Sequence, residues 1–327
     1  MNPKRILPIA GAFLGILILI LDGRTALLGA QVGIELCLKT IVPALFPFFV
    51  LSILLTNMLA DVKLPMLSYL CKLLRIPQGC ESILITGFLG GYPAGAQSVS
   101  QLYKNNDLSK QTAERLLAFC NNAGPSFLFG IIGQQFVQRR MVWLLWLIHI
   151  CGAVFAAAII PLPNQRTSCA PKQHSLSIQK AVQEAIHVTG SVCAWIVLFR
   201  ILITFLERWF LWLFPIPIRV VLSGLLELSN GCICLSQIDD VKLRFLICSM
   251  LLGAGGLCVT MQTSSVVEGL TLKFYILGKL IQVGFSLIST LAMVYGIWIP
   301  LAILLGGLAI YIVKKQNFSS IRSFIGV

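Results

Sequence analysis

The chain has 327 residues, of which 57% are hydrophobic and only 11% charged, with a formal net charge of +13 and a mean hydropathy of +0.89. A soluble domain carries about a quarter charged residues, so this composition excludes a water-soluble globular protein and defines a polytopic α-helical membrane protein. The positive charge is not the mark of a nucleic-acid binder: Arg139, Arg140, Lys172, Lys242, Arg244, Lys314, Lys315 and Arg322 lie in short loops and at helix ends, where cytoplasmic loops and lipid headgroups use them.

In chain order, the first apolar run, 6–21, follows Lys4 and Arg5, and no small-x-small cleavage pattern precedes Asp22. It is expected to remain as an uncleaved helix. Further runs at 34–60, 82–97, 119–136, 141–162, 188–214, 245–262, 274–295 and 297–313 are candidates to cross or enter the membrane. Several fall short of a full span, so roughly eight to ten segments are expected, some as half-helices or hairpins. The polar stretch 164–177, after Pro161-Leu162-Pro163, reads as a linker between two membrane halves. The expected organisation is an N-terminal helix (1–33), a first half (34–163), the linker (164–177), a second half (178–298), and a C-terminal helix with a basic tail (299–327).

Within the halves one device recurs. Gly90-Gly91 interrupts an apolar run and is followed, six positions after its second glycine, by Gln97-Ser98; Gly255-Gly256 is followed at the same spacing by Gln262-Thr263. A glycine pair breaks a helix, and at bilayer depth a break persists only where protein or a wet cavity satisfies the freed backbone groups. Paired breaks at corresponding positions of two halves point to a transporter-type site at a repeat interface. Chance similarity between two glycine-rich packing segments is the competing explanation.

Between the first break and the linker, Ser109 is placed to cap a helix through Ala113-Glu114-Arg115, and Asn121-Asn122-Ala123-Gly124-Pro125 ends it. The two carboxamides must find partners, either in a solute or water-lined site or as caps of their own helix. Glu227, in Gly224-Leu225-Leu226-Glu227-Leu228-Ser229-Asn230, is the strongest intramembrane charge, with Asn230 one helical step away. Glu35 and Lys39 have the spacing of a helix-end pair, and Arg200 either faces the interior or snorkels. His149 reads as an interior histidine, His174 as a linker residue, and Lys279 as the counterpart of Arg115 near the second break.

The eleven cysteines are odd in number and irregularly spaced. They read as small buried hydrophobes rather than a disulfide framework, and Cys232-Ile233-Cys234 has no further ligands to make a metal site. No serine-nucleophile elbow, zinc-helix motif or phosphate loop occurs, so no catalytic residue, metal or cofactor is expected.

These motifs resemble one family. Gly91-Tyr92-Pro93-Ala94-Gly95-Ala96, the helix start at Ser109, Phe119-Cys120-Asn121-Asn122-Ala123-Gly124-Pro125 and Gly130 are similar to the YlbJ-type sporulation integral membrane proteins, which carry a nucleoside-recognition or Gate-type membrane domain. In the second half, Gly224-Leu225-Leu226-Glu227-Leu228-Ser229-Asn230-Gly231 and Gly255-Gly256-Leu257-Cys258-Val259-Thr260-Met261-Gln262 resemble the family's corresponding segments. Cys258 and Thr260 stand where the family pattern has serine and histidine, which argues against chemistry at that position. The resemblance implies a membrane protein of a spore-forming bacterium, with a domain related to concentrative nucleoside transporters. It suggests as partners the lipid bilayer, a small nucleoside-like solute, and a second copy of the chain or other sporulation membrane proteins. A transporter requires Gln97, Asn121, Asn122, Glu227, Asn230 and Gln262 to converge; a non-transporting scaffold of spore-envelope assembly lets them scatter.

Overall fold

The structure, a computed structural model, describes residues 3–58, 65–77, 80–161 and 177–307. All of the expected linker but Ser177 lies outside these residues, together with Lys172, His174, and the C-terminal segment from 308 with Lys314, Lys315 and Arg322. Among the described residues every regular element is helical.

The chain begins with α1 (Pro3–Leu21). Asp22 then caps α2 (Gly23–Leu36) by accepting the Thr25 amide, and α2 runs through a wide turn at Cys37–Ile41 into α3 (Val42–Met58). A continuous apolar stretch, Gly23–Leu55, results. The hydrophobic pattern places its start at 34, because Gly29 and Gly33 weaken the apolar run. Those glycines serve packing instead: a Cβ on Gly29 would lie 2.8 Å from the Ile201 Cα, and one on Gly33 3.0 Å from the Val197 Cα. Small residues four apart let two membrane helices approach at backbone distance. Their partner is α10 (Ile178–Trp209), which starts at the N-cap Ser177.

Between them, α4 (Pro65–Leu74) precedes the first broken segment. That segment comprises α5 (Ser82–Ile85), a wide turn at Thr86–Gly90, and α6 (Ala94–Lys104). Next come α7 (Lys110–Leu117), α8 (Pro125–Gly130) and α9 (Arg139–Ile159). Ser109 accepts the Thr112 amide at the head of α7, as its sequence position predicts. After α10 the chain forms α11 (Ile216–Leu226), α12 (Leu228–Cys234), α13 (Val241–Ala254), α14 (Gly256–Val266) and α15 (Lys273–Tyr295).

Among the described residues five stretches are long and apolar enough to cross a membrane: Gly23–Leu55, Arg139–Ile159, Ile178–Trp209, Val241–Val266 and Lys273–Tyr295. Ile9–Leu21 and Ile216–Leu226 are shorter apolar helices. The sequence-based count of segments is higher because the runs 82–97 and 119–136 are each divided by a turn into short pieces, the first run gives only a shorter helix, and 297–313 lies partly outside the described residues.

Two buried clusters hold these helices together. One joins Ile41, Phe49, Leu128 and Leu145 to Val188, Phe245, Leu251 and Cys258; the other joins Ile83, Val99, Leu116 and Ala156 to Val267 and Tyr275. Each cluster draws on residues from both sides of the 164–177 stretch, so the halves are interleaved rather than packed as separate cores. In particular, α15 lies against α13, α9 and α7, and α14 against α6 and α10.

Candidate functional site

Both glycine pairs lie at turns between helical pieces. Gly91 ends the first wide turn with φ +80°, Gly255 and Gly256 separate α13 from α14 with φ +72° and +83°, and these are the left-handed values that glycine supplies without steric cost. After Gly91 a cis Tyr92-Pro93 bond leads into α6. Asn122 and Ala123 are outside any helix, Gly124 is extended, and α8 begins on Pro125, whose missing amide costs nothing at that position. Glu227 is the extended residue between α11 and α12.

These breaks meet. A cavity of about 30 Å³ is lined by Gly90, Gly91 and Tyr92 from the first break, Gly124, Ser126 and Phe127 from the second, Glu227 and Ser229 from the third, and Gln262 on α14. Leu45, Phe49, Val192 and Ile196 close its apolar sides. That volume accommodates a couple of water molecules.

Glu227 faces the interior with 2% of its surface exposed. Its carboxylate caps α12, accepting the Ser229 amide at 2.9 Å and the Asn230 amide at 2.6 Å. Two charge-assisted bonds and the positive end of the following helix offset the desolvation of the carboxylate. Behind it, Arg200 donates to both oxygens of Glu207 at 3.2 and 3.1 Å and to Asn230 Oδ1 at 2.9 Å. Arg200 thus faces the protein, the first of the two orientations its mid-helix position allowed. Asn230 is held by this cluster, and its Nδ2 is buried without a hydrogen-bond partner.

Asn121 and Asn122 do not line the cavity and are bonded next to it. Asn121 donates to Thr263 Oγ1 at 2.8 Å, linking the second break to the hydroxyl residue next to Gln262. Asn122 donates to Phe119 O at 2.7 Å and Gly87 O at 3.4 Å, closing its own helix end against the first break. The glutamines differ: Gln262 is buried at the cavity with Nε2 near Cys258 Sγ, whereas Gln97 is half-buried on α6 and does not line the cavity. The structure therefore gathers Glu227 and Gln262 at one cavity and places Asn121 beside it, while Asn122 serves as a cap, Asn230 joins the arginine cluster, and Gln97 stands apart.

Sequence reasoning gave too little weight to a polar group behind Tyr92. Lys279 is buried on α15 and donates to Asn121 O at 2.8 Å, Gln282 Oε1 at 3.2 Å and Tyr92 OH at 3.3 Å. Tyr92 OH in turn donates to Leu252 O at 3.4 Å. Gln282 donates to Ala118 O at 3.2 Å, and His149 accepts the Ala123 amide through Nε2 at 3.0 Å. The signal available was Gln282, one helical step from Lys279 on the same face, and Tyr92 inside the Gly-Gly-Tyr-Pro motif. Arg115, which the sequence pattern pairs with Lys279, donates to Leu74 O and Ala157 O at 3.0 and 2.9 Å. Both interior cations thus satisfy main-chain carbonyls.

An all-α protein with five potential spans, and with interior charges satisfied by its own broken helices, is an integral membrane protein. Over 90% of its length the chain is similar to the Sporulation integral membrane protein YlbJ of Bacillus subtilis (strain 168), at 24% identity across 341 aligned positions that cover 83% of that relative. The likeness to YlbJ-type proteins read from the motifs therefore extends along nearly the whole chain. No family model matches the sequence, and no solved structure matches it.

Proposed function

We propose that this chain acts in the membrane of a sporulating bacterium and moves a small polar solute through the space where its broken helices meet. The observation that carries this reading is the cavity itself: Gly90, Gly91, Gly124, Glu227 and Gln262, from breaks far apart in sequence, line one buried space. Non-helical backbone at membrane depth is costly unless it is buried in protein or lines a water-filled site, and here the breaks line a shared cavity. The two Gly-Gly-x5-Gln segments are read as counterparts in two related halves that enter the site as half-helices. The name of the relative supplies the sporulation setting.

The chemistry around the cavity favours a neutral solute with both donors and acceptors. Gln262 and Asn121 each offer an amide donor and a carbonyl acceptor, and Ser126 and Ser229 offer hydroxyls. A nucleoside-like molecule fits that inventory better than a bare ion. A cavity of about 30 Å³ is a closed state for such a solute, so the breaks must part to admit it. No bond is made or broken in this account.

A scaffold role in spore-envelope assembly is the second reading. It is favoured by the side chains that cap only their own helices, Asn122 above all. Uptake by proteoliposomes separates the two. With radiolabelled uridine, adenosine, cytidine and inosine as probes, the transporter reading expects accumulation above protein-free liposomes that is lost in Glu227→Gln. Absence of uptake across this panel supports the scaffold.

A further inference from the structure

Lys279 is a buried ammonium whose contacts do not fit the ordinary roles of an interior lysine. Among the described residues it forms no ion pair with a carboxylate. Its three N–H bonds match three neutral acceptors one to one: Asn121 O, Gln282 Oε1 and Tyr92 OH. The Tyr92 and Tyr275 rings lie 5.0 and 5.7 Å from Nζ, within the range at which an aromatic face attracts a cation. Tyr92 is also a wall of the central cavity, and its hydroxyl proton is committed to Leu252 O, near the C-terminus of α13 just before the Gly255 break.

An ammonium has three donors and no acceptor; an amine has two donors and one lone pair. When Nζ gives a proton to water, two N–H bonds can still serve Asn121 and Gln282. The third direction then presents a lone pair to the Tyr92 oxygen, and two lone pairs facing each other repel. Tyr92 regains a bond by turning its hydroxyl proton toward Nζ, but that proton is taken from Leu252 O. One titration on α15 thereby decides whether the first break is tied to the α13–α14 break.

We propose that Lys279 is a proton-binding site whose occupancy latches the Tyr92 break to the α13–α14 break, so that proton loss frees the cavity wall. The titratable groups on the surrounding elements are otherwise engaged. On α7, Glu114 accepts the Thr271 amide and Arg115 holds the Leu74 and Ala157 carbonyls. On α9, His149 faces the same group and accepts from Ala123, while Cys151 is exposed. On α13, Arg244 donates to Ile238 O and Gln135 O, Lys242 lies over Tyr295, and Cys248 is buried. On α15 itself, Tyr275 faces Nζ with its ring. None of them places an anion on Lys279. The inference does not depend on which solute, if any, is moved.

Backbone hydrogen–deuterium exchange of the full-length protein tests it, read at residues 251–257 from about pH 6 to pH 10 and corrected for intrinsic exchange. In the wild type, protection of this segment is expected to fall about tenfold as pH rises, the scale of one released hydrogen bond. Lys279→Arg keeps its charge at every pH, so its protection should stay high and flat. Tyr92→Phe has no hydroxyl to donate to Leu252 O and should be flat and low, whereas Lys279→Met offers no lone pair to draw that hydroxyl away and should be flat. A wild type without the pH step overturns the proposal by itself, whether or not the variants fold. So does a step of equal size in Lys279→Arg or Tyr92→Phe, which would assign the titration to another group.

Discussion

Asn121 Nδ2 donates to Thr263 Oγ1 across 2.8 Å, joining the helix end before Gly124-Pro125 to the residue that follows Gln262. The two residues are 142 positions apart in the chain. Both are fully buried, so the bond is shielded from competing water. Asn121→Ala and Thr263→Val should therefore be coupled. A double-mutant cycle on thermal stability in detergent is expected to give about 0.5–1 kcal/mol, the range of interhelical hydrogen bonds in membrane proteins. Strict additivity would mean the bond does not form.

Backbone approach at the first break makes a second prediction. A Cβ on Gly95 would collide with the Cys120 carbonyl, and one on Gly87 would lie 2.5 Å from the same oxygen. Neither side of that contact is a flexible side chain. Gly95→Ala should cost about 3 kcal/mol, as overpacking against rigid backbone does. On α15, Gly284 has nothing within 4 Å of its Cβ position, and Gly284→Ala should be neutral or stabilising by up to about 1 kcal/mol. Expression and melting temperature of the two variants compare them directly.

Glu227 carries both a structural and a functional expectation. Gln retains one acceptor oxygen for the Ser229 and Asn230 amides, so Glu227→Gln should lose about 1 kcal/mol yet still insert. It is expected to abolish function in a sporulation complementation assay. Glu227→Ala removes both acceptors and should be no better tolerated. Normal spores from Glu227→Gln would confine this carboxylate to capping.

Arg200 offers a test of geometry rather than charge. Its guanidinium holds Glu207 through two bonds and Asn230 through a third. Lysine preserves the charge but not the fork. Arg200→Lys is expected to lower stability by about 2 kcal/mol, more than Glu207→Gln, because it also strips Asn230 Oδ1 of its donor. Equal losses in the two variants would show that the Asn230 bond contributes nothing.

What the sequence made legible is what local chemistry dictates. The pairs Gly90-Gly91 and Gly255-Gly256 break their helices, Ser109 has the neighbours of an N-cap, and Asn121–Pro125 has the residues of a helix terminus. The 2.6 Å pair between Glu35 and Lys39 follows from their spacing on one helix face. The interior position of Glu227 follows from the cost of leaving a carboxylate in lipid. Partner choice across the fold was not legible. Asn230 and Gln97 were expected beside Glu227 and Gln262, but Asn230 turns its side chain to Arg200, one helix away, and Gln97 stays on the flank of α6. The three acceptors of Lys279 come from the first break, the second break and its own helix, a meeting that depends on how α15 crosses α7. Periodicity carries no such information.

The central claim is that Glu227 and Gln262 form one wall of a solute site. Thermal-shift measurements on the purified full-length protein test it most directly, using uridine, adenosine, cytidine and inosine as probes, each from micromolar to millimolar concentration. A solute that binds the folded state stabilises it by RT ln(1 + [L]/Kd), about 2.7 kcal/mol at a hundredfold excess over Kd. The predicted result is a saturable rise in melting temperature with at least one probe, diminished in Gln262→Ala and absent in Glu227→Gln. A flat response to every probe, or a shift unchanged in both variants, would contradict the account.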